Sequence, residues 1–135
     1  MGRAYRLQAQ EEKTDDYSQA TDYLNQAVDG LRLAGAVEFL SRGLLARAEL
    51  FTLNGDSRRA HADLDEALAI VVRGKMELHE ADCYLGYARL YLAQGEKEKA
   101  RESWARAKGM IERMGYHRRD QDVVEIERQL EEMAG

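Results

Sequence analysis

The chain has 135 residues, enough for one domain with a core of its own. Hydrophobic residues make up 44% and charged residues 33%, which excludes a disordered chain and suits a helical protein with a large surface. The net charge of -5 argues against a nucleic-acid partner held by phosphate contacts, because such binding needs a positive field.

The opening, MGRAYRLQAQEEK, lacks the apolar centre of a signal peptide, and no later run approaches the roughly 20 apolar residues that cross a bilayer. A cytoplasmic protein without a membrane partner is expected. A short first helix is predicted over 2–13. Tyr5 and Leu7 are its only large apolar residues. That end has no apolar cap, so the chain is expected either to begin inside a larger protein or to meet a second copy there. The partner of this helix is predicted over 16–34, ending at Gly35.

The second pair is predicted over 37–53 and 57–73. Leu44, Ala48, Phe51 and Gly55 are spaced four, three and four apart, which draws one apolar stripe along a helix. In Asn54-Gly55-Asp56 the glycine can take the left-handed conformation that ends a helix, and Asp56 can cap the next one. The third pair is predicted over 76–94 and 97–114, joined by Gln94-Gly95-Glu96 with a poorer cap. Gly74 and Gly115 are expected to mark the ends of the second and third pairs. A last helix over 120–133 carries Val123, Val124, Ile126, Leu130 and Met133. It is expected to cover the end of the stack with Asp122, Glu125, Glu127, Arg128, Glu131 and Glu132 facing water. The chain contains no proline, which agrees with helices joined by short turns.

These pairs are copies of one unit. Ala48 and Ala88, Phe51 and Tyr91, Gly55 and Gly95, Ala60 and Ala100, Leu64 and Trp104, Ala67 and Ala107 all stand 40 apart. Asp15, Ala20, Leu24 and Ala27 continue the second half of the unit backwards. In its first half, Gln8 and Glu11 stand where Ala48 and Phe51 would repeat. Alanine facing alanine lets two helices approach closely, and neither hairpin can bury both of its faces alone. Units of about 1–35, 36–75 and 76–115 are therefore expected within a single domain.

Few residues suggest chemistry. There is no glycine-rich phosphate loop, no paired-cysteine metal site and no metal-protease helix motif. His61 lies beside Arg58, Arg59 and Asp63 and reads as solvated on a charged face. His79, Asp82 and Cys83 share one side of a helix, and His117 and Asp120 precede the last one. A metal bridging the two segments is conceivable, but the set lacks recognised spacing. Cys83 is the only cysteine, so no internal disulfide is possible. Acidic neighbours would disfavour its thiolate, and it reads as a small packing residue. Asp120 reads as a helix cap, and Arg118-Arg119 as partners of the chain's own carboxylates. No enzyme activity, cofactor or metal is expected.

The pattern Tyr84, Tyr87-Ala88, Tyr91, Ala100, Trp104, Ala107 resembles the tetratricopeptide repeats. Leu44, Ala48, Phe51, Ala60, Leu64, Ala67 is similar in the preceding unit. Two features depart from that family: a period of 40 against its roughly 34, and the absence of its proline, with Val72 and Glu112 in that place. Long variants of this kind resemble those in bacterial regulatory proteins. The resemblance implies an all-α, right-handed α-α superhelix of about three hairpins plus a capping helix. It also implies that first helices line a concave groove, through Arg42, Leu45, Glu49 and Thr52 of one unit and Asp82, Leu85, Arg89 and Leu92 of the next. A strip of leucines flanked by charges suits a peptide or a partner protein. The lysines and asparagines with which some family members clamp a terminal carboxylate are not at these positions. The alternative expectation is a structural segment that self-associates through the uncapped N-terminal end. Arg89→Glu is expected to weaken partner binding without unfolding, because Arg89 stands off the packing stripe.

Overall fold

The computed structural model describes residues 14–134, so the helix expected over 2–13 lies outside the described residues. Six helices follow one another: α1 Thr14–Ala34, α2 Val37–Leu53, α3 Ser57–Arg73, α4 Glu77–Ala93, α5 Lys97–Met114 and α6 Asp120–Ala134, with a 3-10 turn at His117–Arg119. The described residues contain no strand. The spacing-based boundaries hold to within two residues. No helix among them is long and apolar enough to cross a membrane.

One device makes all five reversals. Gly35, Gly55, Lys75, Gly95 and Gly115 have φ of 69°, 82°, 55°, 76° and 70°. At each, the following residue donates its N–H back to the carbonyl five positions earlier: Ala36 to Leu31, Asp56 to Phe51, Met76 to Val71, Glu96 to Tyr91 and Tyr116 to Ile111, at 2.8–3.1 Å. These bonds satisfy carbonyls that each helix end would otherwise leave open. The left-handed residues fall 20 apart, so the unit of 40 consists of two arms of equal length. Asp56 caps α3 as expected, accepting from the Arg59 N–H at 3.3 Å, whereas Glu96 makes no side-chain cap.

Gly74 marks the end of α3 as expected, but not by a left-handed turn of its own. It stays helical at φ -83°, and the left-handed slot falls to Lys75. A Cβ in that conformation crowds the backbone, which glycine avoids. Lys75→Gly is therefore expected to stabilise the fold by about 0.5–1 kcal/mol net of the glycine's extra entropy when unfolded. A thermal melt would read this as a rise of about 3 °C for a chain of this length. An unchanged or lower midpoint would refute the strain.

Successive helices pack on each other, and α2, α4 and α6 also touch in turn along one side. The alanines do what their spacing predicts: Ala48, Ala60, Ala67, Ala88, Ala100 and Ala107 are all buried. Ala48 and Ala60 pack with Phe51, Leu64 and Leu90. Ala88 and Ala100 pack with Ala81, Leu85 and Ile111, roofed by Tyr84, Tyr91 and Trp104. A third cluster holds Val28, Leu40, Leu44, Val71 and Cys83. From α6, Val123, Ile126 and Leu130 join the core, and the Trp104 indole donates to the Val123 carbonyl at 2.9 Å. Val124, expected on that apolar face, is exposed instead.

Asp63 corrects the sequence reading most sharply. It is not part of a solvated face but 5% exposed. Arg47 of α2 grips it with both arms of its guanidinium, Nε to Oδ2 and Nη2 to Oδ1, each at 2.8 Å. The remaining arm, Nη1, donates to Asn25 Oδ1 of α1 at 3.0 Å. This fork joins three helices.

Candidate functional site

Helices α2 and α4, and likewise α4 and α6, are separated by one helix and two reversals, so the three run the same way and present neighbouring faces. Between those faces lies an open depression of about 900 Å³. Leu45, Glu49 and Thr52 line it from α2, and Asp82, Leu85, Arg89 and Leu92 from α4. Spacings of three and four put each set on one helix face. Arg42 is not in this lining. Its guanidinium sits 5.8 Å over the Phe39 ring, toward the start of α2.

The floor is apolar and firmly packed. Leu85 is 1% exposed, which makes it a core residue rather than a free contact. Gly86 lets α4 settle onto α3, since a Cβ there would stand 2.7 Å from Leu64 Cδ2. The mouth at the C-terminal ends of the three helices is looser. Leu53 and Met133 there are each more than a third exposed.

The third wall is what sequence reasoning missed. The 3-10 turn contributes Arg119, and α6 contributes Asp122, Glu125, Gln129 and Glu132. Glu125 and Glu132 are exposed, as expected, but Asp122 is half-buried. Arg89 Nη2 donates to Asp122 Oδ1 at 2.8 Å, and Arg119 donates from Nε to Asp82 Oδ1 at 2.7 Å and from Nη2 to Asp82 Oδ2 at 3.3 Å. The Asp82 hydrogen bond raises the Arg119 pKa further, holding its charge in place. These two ion pairs moor the last helix to α4. The expectation for Arg89→Glu changes accordingly: a glutamate facing Asp122 would loosen α6 as well as alter the groove. Only the relative placement of α4 and α6 reveals this, and no spacing within either helix encodes it.

The other polar residues do not converge. No group of three His, Cys, Asp or Glu side chains among the described residues could hold a metal. Asp82 is engaged by Arg119, His79 is 3.9 Å from Glu38 of α2, and His117 Nδ1 lies 3.1 Å from Asp120 Oδ2 in its own turn. Cys83 is fully buried, and burial, with Asp82 and Glu80, pushes its thiol up to about 12. A thiol kept protonated in a core is not a nucleophile. His61 is not simply solvated. Its ring meets Tyr87 edge-on at 5.6 Å, with Nε2 3.3 Å from the Tyr91 hydroxyl and Nδ1 3.2 Å from Asp65. The Tyr87 hydroxyl donates to the other Asp65 oxygen, and burial, then that bond, raises its pKa. This cluster knits α3 to α4 on the side away from the depression. Arg59 pairs with its own cap Asp56 at 3.5 Å. No family model, no curated protein and no solved structure matches the chain.

Proposed function

We propose that the chain is a tetratricopeptide-like helical-repeat scaffold, wound as an α-α superhelix, that holds a peptide or a partner protein in the depression between α2, α4 and α6. The observation that carries this reading is the lining itself. Seven of the eight positions that the family resemblance implies for a groove line one cavity with an apolar floor and a charged rim. Such a surface suits a segment of another protein, where apolar anchors supply affinity and rim charges supply register. The scaffold works without a catalytic group, cofactor or nucleic acid, and belongs to a larger regulatory protein.

The test is a peptide-library screen on the parent and on a double variant, Leu53→Gln with Met133→Gln. Both residues line the mouth and are more than a third exposed, so the fold should melt normally. Loss of two apolar anchors is expected to weaken each hit by about tenfold or more, roughly 1.4 kcal/mol. Hits indifferent to the change would remove the groove from the account.

A second reading, self-association, rests on a different surface. Around the α1–α2 turn Leu33 is 90% exposed, with Val37 and Phe39 more than half exposed. If that patch joins two copies, light scattering will show a mass that rises with concentration, and Leu33→Glu with Phe39→Glu will hold the protein as a monomer. A constant monomer mass at all concentrations would dismiss it.

A further inference from the structure

One helix face lacks the cover that the repeat gives to its copies. Ala60 and Ala67 of α3, and Ala100 and Ala107 of α5, are fully buried, because α3 is held between α2 and α4 and α5 between α4 and α6. Ala20 and Ala27 stand at the same repeat positions in α1. They are only half-buried, and among the described residues α1 packs chiefly on α2. Beside them Tyr23 is 74% exposed, and a Cβ on Gly30 would meet nothing within 4 Å. Ala20, Tyr23, Ala27, Gly30 and Ala34 are spaced three and four apart, so they share one face, and none of them is charged.

How α1 begins, and what it is made of, point to one cover. In the other units the chain reverses at Gly55 and Gly95, which lays α2 on α3 and α4 on α5. The residue 40 before Gly55 is Asp15, and α1 is helical through it. The turn that would bring a covering helix back over α1 is therefore absent. The sequence ahead also carries Gln8 and Glu11 where α2 supplies Ala48 and Phe51. The covering pattern, an alanine with an aromatic residue three further on, is instead written on α1 itself as Ala20 and Tyr23. α1 also repeats every seven residues: Gln19, Ala20, Asp22 and Leu24 recur as Gln26, Ala27, Asp29 and Leu31, and Ala34 extends the alanine series. Seven is the period of two helices wound along each other. Asp22 and Asp29 are exposed and fall on the far side of the helix, so two such faces can meet without like charges between them.

We infer that a second copy of this chain covers the face, with α1 against α1 in antiparallel sense about a two-fold axis. Ala27 lies at the axis, Ala20 meets Ala34 of the second copy, and Tyr23 lies over its Gly30, where no Cβ obstructs the ring. This surface is separate from the apolar patch at the α1–α2 turn. Among the described residues none of α1 lines the groove, so the pairing stands or falls independently of peptide binding.

Light scattering across a micromolar concentration series should show the mass rising from one copy toward two. Gly30→Glu places a charge in the seam and should hold the mass at one copy throughout. Gly109→Glu, the same change at an equally open glycine of α5, should leave association unaltered. Both sites have room, and replacing a helical glycine raises helix propensity, so neither variant should melt below the parent. Ala27→Cys should form an intermolecular disulfide under mild oxidation, because the axis brings the two side chains within reach and the native Cys83 is buried. A single copy at every concentration would overturn the inference and leave the face to a segment of the same chain or to another protein. Association that survives Gly30→Glu but ends with Leu33→Glu and Phe39→Glu would move the contact to the turn patch and overturn it too. So would dimers that Ala27→Cys fails to link, or equal losses in the Gly30→Glu and Gly109→Glu variants.

Discussion

Ala88→Arg is expected to abolish cooperative folding. Ala88 is fully buried where α4 crosses α5, in one cluster with Ala100 and under the rings of Tyr84, Tyr91 and Trp104. An arginine there must push two helices apart, and overpacking of that kind costs about 1–3 kcal/mol. Its guanidinium would also lose water without a partner, a further penalty of several kcal/mol. The sum is comparable with the roughly 5–15 kcal/mol that holds a domain of this size together. Ala105→Arg is the control, because Ala105 is exposed on α5. Circular dichroism should show a sharp melt for the parent and for Ala105→Arg, and a broad or absent transition for Ala88→Arg. A normal melt for Ala88→Arg would contradict the packing of the alanine stripe.

Asp63→Ala should be the most damaging removal of a polar group. Arg47 would keep its place beneath Phe51, which its guanidinium approaches within 5.9 Å, and would lose both charge-assisted bonds. The pair is mostly shielded, with side-chain exposures of 16% and 7%. Stranding one partner of such a pair costs about 3 kcal/mol or somewhat more. For a chain of this length that is a fall in melting temperature of about 10 °C. The guanidinium cannot escape by losing its proton, because arginine stays charged in proteins. Replacing both residues, Arg47→Met with Asp63→Leu, should recover most of the loss, since an apolar pair leaves no charge behind. If Asp63→Ala melts within about a degree of the parent, water reaches the guanidinium and the fork contributes little.

The contrast between these two residues explains what the sequence could disclose. Ala88 was legible because a small residue recurring at 40 among apolar neighbours has a single geometric use, close helix contact. The glycines at 35, 55, 95 and 115 were legible for a similar reason, since left-handed backbone is cheap only for them. The turn after α3 was placed correctly, but its left-handed residue, Lys75, was not legible because the chain there tolerates strain instead of avoiding it. Asp63 was opaque: its partner lies 16 residues away on another helix, and from within α3 its neighbours Arg59, His61 and Asp65 look like ordinary surface. The groove was half legible. The faces of α2 and α4 came from the resemblance to the repeat family, but the wall supplied by Arg119 and α6 depends on how the last helix sits, which two ion pairs to Asp82 and Arg89 help to fix.

The equal arms bear on how the chain reaches its fold. Helices of 17 or 18 residues joined by turns of three bring neighbours together after only a short stretch of backbone has been ordered. Few contacts span more than the next helix but one. Chains built from such local contacts close no long loops before their first favourable burial, and they fold in times on the order of microseconds to milliseconds. Slow formation of this protein in solution would then point away from the helices themselves and toward a step outside the folding of the single chain.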